Sequence, residues 1–346
     1  MDNESDWSCD VELDLASRRI GLFLLYLFMF IAGLALNLTA LWVNWQRRRS
    51  RNTVIFCMLN MGVADTLLVL TLPISMLEAV LDHVWLWGDF LCRFSNLVIV
   101  TNIFASCFFV AYMSVERYFA LVRGSAPRGT GAAERRKRYA IGAALWILAL
   151  FFAALETAHV RVLNMHEPGC YMLPEHAVVE WSSSLTIIQL LLQFLLPSAI
   201  IVTFNTLLSR AVRSSPEVQS RRGDGVWLLH VYSAVFLVCW FPYHTVMLLL
   251  EVYFSQSEHS VFDCNTVGQL FFSYTVVSAV ALLHCLANPV LYSFLSRSFR
   301  NKLVNLVLSR LPQDALANLH ANDTGAKEQG GKKNEAAEHS TNQSEG

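Results

Sequence analysis

Charge is scarce in this chain. Of its 346 residues 15% are Asp, Glu, Lys or Arg and 54% are hydrophobic, with a mean hydropathy of +0.41. A soluble domain carries about a quarter charged residues, so an ordinary water-soluble domain is excluded. The net charge is −1, which provides no positive field for nucleic acid and removes that partner. The opening MDNESDWSCDVELD is acidic and lacks the basic, apolar character of a secretory leader. Internal repeats are lacking, as are Gly or Pro interruptions at matching positions, which argues against a transporter. His230, His244 and His284 are scattered, so no metal cluster or catalytic pair is expected and the chain does not read as an enzyme.

Long apolar runs are abundant. Seven are near or above the roughly 20 residues that cross a bilayer as a helix: 20–45, 53–80, 90–122, 138–160, 182–210, 224–254 and 266–293. The linkers are short, so the expected fold is all-α, one seven-transmembrane helix bundle at 20–295 in a multi-pass plasma-membrane protein. An acidic segment at 1–19 precedes it. A short amphipathic helix at 296–311 and a polar tail at 312–346, read as disordered, follow. Of the 26 Lys and Arg, 22 fall on one side of the seven runs; the exceptions are Arg18, Arg19, Arg93 and Arg161. Basic loops stay cytoplasmic, so the N-terminus is expected outside and the C-terminus inside.

Four of the eight cysteines, Cys9, Cys92, Cys170 and Cys264, fall on the expected outer side, where bridges form. Three pairings are open. Placement favours Cys92 with Cys170 and, across the outer rim, Cys9 with Cys264. Asn3-Glu4-Ser5 is the candidate glycosylation site on that side.

Polar residues inside the spans are few and costly in lipid. Asp65 lies mid-span in LNMGVADTLLVL, and Asn102 and Ser106 share a face of the third span. With Asn288 they form a candidate pocket for sodium and water; the plainer reading is a structural hydrogen-bond knot. The pair Asn288-Pro289 poses a specific problem, because a proline strips its helix of a donor and frees a carbonyl. A shared polar network has to absorb that carbonyl.

GLALN at 33–37, LNMGVAD at 59–65, WLWGDFLC at 85–92, ERY at 116–118, CWFP at 239–242 and NPVLY at 288–292 occur in order on the matching runs. With Trp146 and Pro197 they make the stretch 20–310 resemble the rhodopsin-like (class A) G-protein-coupled receptors. The resemblance implies an activation switch. Arg117 would be a latch held by Glu116 beside Tyr118, Trp240 and Pro242 a hinge beneath the ligand, and Asn288, Pro289 and Tyr292 a movable end of span seven. No organic cofactor is implied, and sodium at Asp65 is the one candidate ion. Phe299 would seat the short helix on the inner leaflet, and arrestin or a heterotrimeric G protein would be the partner inside.

Thr71-Leu72-Pro73 resembles the chemokine-receptor bend in span two, and Cys9, Cys264 and Asn102 add to that likeness, including to the atypical, scavenging members. The ligand would then be an extracellular protein or peptide, a basic chemokine first of all. Candidate contacts are the outward acids Asp10, Glu12 and Asp14, whose patch would steer a basic ligand, with Glu78, Trp87, Tyr243, His244, Glu251 and Ser278. A plain solvated leader is the bland reading of the acids. Two departures point away from strong G-protein coupling. Asn205 stands where signalling members often have Tyr, and FALVRGSAPRG, with Pro127 and Gly124, Gly129 and Gly131, weakens a helix in the second inner loop. The alternative is a conventional signalling peptide or chemokine receptor.

Overall fold

A computed structural model describes residues 15–50, 52–81, 84–122, 131–164, 167–174, 176–216, 226–255, 263–291 and 297–310. Among these, seven helices are long and apolar enough to cross a membrane. Spans one to four are Leu15–Gln46, Thr53–Val80, Gly88–Val122 and Gly131–Glu156. Span five runs Val178–Gln189, a π-turn Leu190–Leu195, then Leu196–Ser214; span six is Val226–Ser255. Span seven is Cys264–Leu282, broken at Leu283 and resumed as His284–Pro289.

The expectation of seven helices holds, with both ends of span four misplaced: the helix starts at Gly131, seven residues before the expected 138. The fourth helix ends at Glu156, and the residues read as its last turn form a turn at 157–159 and the first residue of a strand. That strand, β1 (Val160–Asn164), pairs antiparallel with β2 (Pro168–Met172), bringing Val162 opposite Cys170. VRVLN is rich in β-branched residues, which favour a pleated strand over helix. The hairpin is anchored at three points, two on span three and one on the segment just before it. Cys92 and Cys170 are bridged with Cα atoms 5.7 Å apart, Asp89 Oδ1 accepts from the Val162 amide at 3.1 Å, and the Trp85 amide donates to the Pro168 carbonyl at 2.6 Å. Trp85 is buried with Cys92 and Val160 under Trp87. We call this the hairpin end, and the end carrying Arg47, Arg138 and Arg210 the basic end.

Span three is the central post. Phe104, Phe109 and Met113 are fully buried, and the largest apolar cluster gathers around them from spans two, four, five, six and seven. The outward surfaces stay apolar, as Phe28, Ile31, Leu150 and Phe151 illustrate, which suits lipid as the solvent. Without water to drive helix association, small residues let the helices approach closely. Span four buries Gly142, Ala149 and Ala153. A Cβ on Gly142 would sit 2.5 Å from Cζ of Phe56 on span two. The same seam carries a polar tie, Trp146 Nε1 donating to Asn60 Oδ1 at 2.9 Å.

The chain forms two compact units, Met1–Arg297 and Ser298–Gly346. The second unit holds all but the first residue of a helix, Arg297–Leu308, with apolar Leu303, Val304 and Val307 among polar neighbours.

Gly142→Val should destabilise the protein by about 1–3 kcal/mol through overpacking, read as a lower unfolding midpoint of the detergent-solubilised protein. An unchanged midpoint would mean that spans two and four stand further apart than described.

Candidate functional site

Two prolines dictate where the interior needs polar side chains. A helical proline leaves the carbonyl four residues earlier without its donor, and in a membrane that carbonyl must find another inside the protein. For Pro289 the stranded group is the Cys285 carbonyl, and Asn37 Nδ2 of span one donates to it at 3.0 Å while also bonding Gly33 O at 3.0 Å. For Pro197 it is the Gln193 carbonyl, which receives the Cys107 thiol of span three at 3.2 Å. The π-turn just before Pro197 serves the same accounting, with the Leu196 amide reaching back to Leu191 O. π-turns interrupt helices most often at functional sites.

The residues Asp65, Asn102, Ser106 and Asn288 are brought together and are all buried. Asp65 Oδ1 accepts from Asn102 Nδ2 at 2.8 Å and Ser106 Oγ at 3.4 Å, and Oδ2 accepts from Asn288 Nδ2 at 2.9 Å. His284, which the sequence left out of the group, joins it: Nε2 is 2.9 Å from Asn102 Oδ1, and Nδ1 is 2.7 Å from the Ala281 carbonyl. One carboxylate thus ties spans two, three and seven. A small cavity of about 10 Å³, room for about one water, touches Asp65, Asn288 and Asn37 but neither Asn102 nor Ser106.

Above the knot, toward the hairpin end, Trp240 is buried with its ring 5.2 Å from His284 and 6.0 Å from Tyr243. His244 is buried and stacked on Phe194 at 5.3 Å, and its Nε2 has no hydrogen-bond partner among the described residues. Tyr243 lies against Tyr274 at 6.1 Å. Glu251 is clasped between spans five and six: Ser182 Oγ donates to it at 2.7 Å, Ser183 Oγ at 2.5 Å and Thr186 Oγ1 at 3.3 Å. Among the described residues no cation meets that carboxylate. Glu78 is half-buried near the hairpin end of span two, and Trp87 is half-buried, edge-on to Trp85 at 5.1 Å. Ser278 turns its hydroxyl back to its own helix, onto the Tyr274 carbonyl at 2.6 Å.

Glu156 was legible as an in-span acid but not as part of this chamber. Gln189 Nε2 donates to it at 2.5 Å and Gln193 Nε2 at 3.5 Å. The i,i+4 glutamines in the Leu-rich run of span five were the signal, since long amides in lipid need a partner.

At the basic end, Glu116 and Arg117 are half-buried in the last turns of span three, and the Tyr118 ring meets Phe204 edge-on at 5.6 Å. Asn205 is buried and donates to Ser233 Oγ of span six at 2.6 Å; one turn on, Ser209 Oγ and His230 Nε2 are 2.6 Å apart. Asn3, Cys9, Asp10, Glu12, Asp14 and Tyr292 lie outside the described residues, as does the side chain of Cys264.

A seven-helix bundle with a polar knot under an aromatic chamber is a receptor architecture, and the chain belongs to the family described as 7 transmembrane receptor (rhodopsin family), whose profile matches residues 36–292. It is similar to G-protein coupled receptor 182 of Homo sapiens, 38% identical over 307 residues, covering 88% of this chain and 74% of that one. It is also similar to atypical chemokine receptor 3 of Canis lupus familiaris, 32% identical over 287 residues with 81% and 77% covered, and to atypical chemokine receptor 4 of Bos taurus, 25% identical with 80% and 76% covered. The protein is therefore a chemokine-receptor-related class A receptor of the plasma membrane, and not an enzyme.

Asn37→Ala should cost about 1–3 kcal/mol, because it leaves the Cys285 carbonyl buried without a donor. A fall in the unfolding midpoint checks this; Asn37→Leu, which removes the donor but keeps close to the size, should also lower it.

Proposed function

We propose that this receptor binds basic chemokines outside the cell and removes them by uptake, with weak coupling to heterotrimeric G proteins. The N-terminus is outside, the hairpin end faces the ligand, and the basic end meets arrestin or the G protein. The basic-residue distribution supports this orientation, as does a disulfide at the hairpin end. The names of two relatives, atypical chemokine receptors 3 and 4, support the ligand class. Glu251, held by hydroxyls, supports an acceptor for a cationic ligand side chain, with Tyr243 and His244 beside the floor at Trp240.

The single observation that carries weak coupling is the Asn205–Ser233 hydrogen bond. A Tyr at this position would be available to the released Arg117; Asn205 instead ties span five to span six, and the Ser209–His230 pair repeats the tie one turn on. Parting the two spans at this end costs two hydrogen bonds, each worth about 0.5–1.5 kcal/mol. A sodium ion on Asp65 is part of the same proposal, with Asp65 as its only charged ligand.

The test is uptake of a labelled chemokine panel by cells expressing the chain, with G-protein activation read in parallel. Uptake without activation is the expected result, and activation by one ligand returns the protein to the conventional signalling receptors. Asn205→Tyr should raise ligand-driven activation several-fold; no change in basal or ligand-driven activity would remove the stated reason for weak coupling. Raising sodium should lower agonist affinity in the parent protein but not in Asp65→Asn.

A further inference from the structure

At the hairpin end, outside the aromatic chamber, lies an open hollow of about 440 Å³ lined by Arg93, Ala158, His159, Arg161, Pro174 and His176. Its volume falls within the roughly 300–1,000 Å³ typical of small-ligand sites. Two of the four basic residues away from the basic end are here, with two of the ten histidines. Arg93 spends only its Nε, on Asp89 Oδ2 at 2.7 Å, and among the described residues its two terminal amino groups meet no acceptor. Asp89 forms a salt bridge with Arg93 and offsets part of its charge, while its other oxygen takes the Val162 amide, so Arg161 is the second positive charge at the hollow. The imidazoles of His159 and His176 bond to nothing among the described residues. His159 stands edge-on to Trp181 at 4.7 Å, and the Trp181 indole N–H is buried without a partner there. The helix of span five starts at Val178, and its preceding residue, Ala177 at φ 54°, supplies no side-chain cap. Open amide groups and the positive helix end add to the same field. Of the other acids, Glu180 is exposed in the first turn of span five, and Glu175 lies outside the described residues.

We infer that this hollow binds a sulfate group of a sulfated carbohydrate chain. The inference rests on the outward orientation of the hairpin end proposed above. The chemistry required is that of a fixed oxyanion: the open side of the Arg93 guanidinium matches two of its oxygens, and the imidazoles of His159 and His176 can reach the remainder. Five of the six lining residues stand on the segments that join spans four and five, beyond the ends of those helices, which favours a water-borne oxyanion over a lipid phosphate. The capture of a basic protein by acids does not explain a cationic hollow at the same end. A polyanion on the hollow would instead hold a basic ligand close to the chamber mouth.

The experiment uses the full chain with an N-terminal epitope tag on cells deficient in glycosaminoglycans, so that only the outer face and none of the 22 basic-side residues is offered. A fluorescent heparin octasaccharide is the probe, and tag staining of unpermeabilised cells sets the surface amount. The expected result is saturable binding that is lost with the desulfated octasaccharide and falls at least ten-fold in Arg93→Gln/His159→Gln/His176→Gln at equal staining. Arg93→Lys, which keeps the charge but not the fork, should lie between. Staining with unchanged binding in the triple variant, or equal binding of the desulfated probe, overturns the site. Displacement by glycerophosphoserine as strong as by unlabelled heparin assigns the hollow to a lipid headgroup and overturns the carbohydrate source. Absence of staining on intact cells, with staining after permeabilisation, overturns the orientation and this proposal with it, whereas chemokine uptake that persists in the triple variant leaves the uptake reading standing by itself.

Discussion

A carbonyl with no donor is the constraint around which this bundle is arranged. Lipid supplies no hydrogen bonds, and the carbonyls that Pro289 and Pro197 strand are met from other helices. Asn37 meets the Cys285 carbonyl across 248 positions of sequence, and the Cys107 thiol meets the Gln193 carbonyl across 86. Each rescue fixes one pair of helices at a given height and rotation. Asn37 sets span one against span seven, and Cys107 sets span three against span five. With those two registers set, Asn288 faces Asp65 and the Gln189–Gln193 face turns to Glu156. The prolines that weaken their own helices thereby specify which helices are neighbours.

The hairpin end depends on span three in a similar way. Asp89 spends one oxygen on the hairpin and the other on Arg93, Trp85 is fastened to Pro168, and the disulfide closes the set. The strands therefore move with the top of span three. Glu251 and Glu156 are each held by polar side chains of span five, and Tyr243 and His244 pack on Trp240, while the hollow lies mainly on the segments between spans four and five.

How much of this could be read in advance depends on the range of the interaction. Span positions rest on hydropathy, a local property, and most ends lie within a few residues of expectation. Span four is the exception: its apolar character runs on through Ala158 and Val160 although the helix stops at Glu156, because a β-branched strand and a helical turn are equally apolar, and its charged first turns, from Gly131, carry no hydropathy signal. The π-turn at Leu190–Leu195 left no trace, since in a run of leucines a five-residue repeat and a four-residue one look alike. Asp65, Asn102, Ser106 and Asn288 were legible as a group because each is expensive alone in lipid. His284 and Asn37 were not assigned to their partners, because no rule of spacing pairs residues on helices that meet only after folding. The Asn3 and Cys9–Cys264 readings concern residues outside those described.

Asp65 has a consequence for how this receptor can change over generations. Its two oxygens are shared by Asn102, Ser106 and Asn288, and Asn102 is in turn held by His284. Replacing any one leaves its partners buried with unmet groups, so the losses from two replacements will not add. Five positions on three helices then behave under mutation as one locus: a change at one is tolerated most readily alongside a matching change at another, and drift in this region proceeds by linked steps.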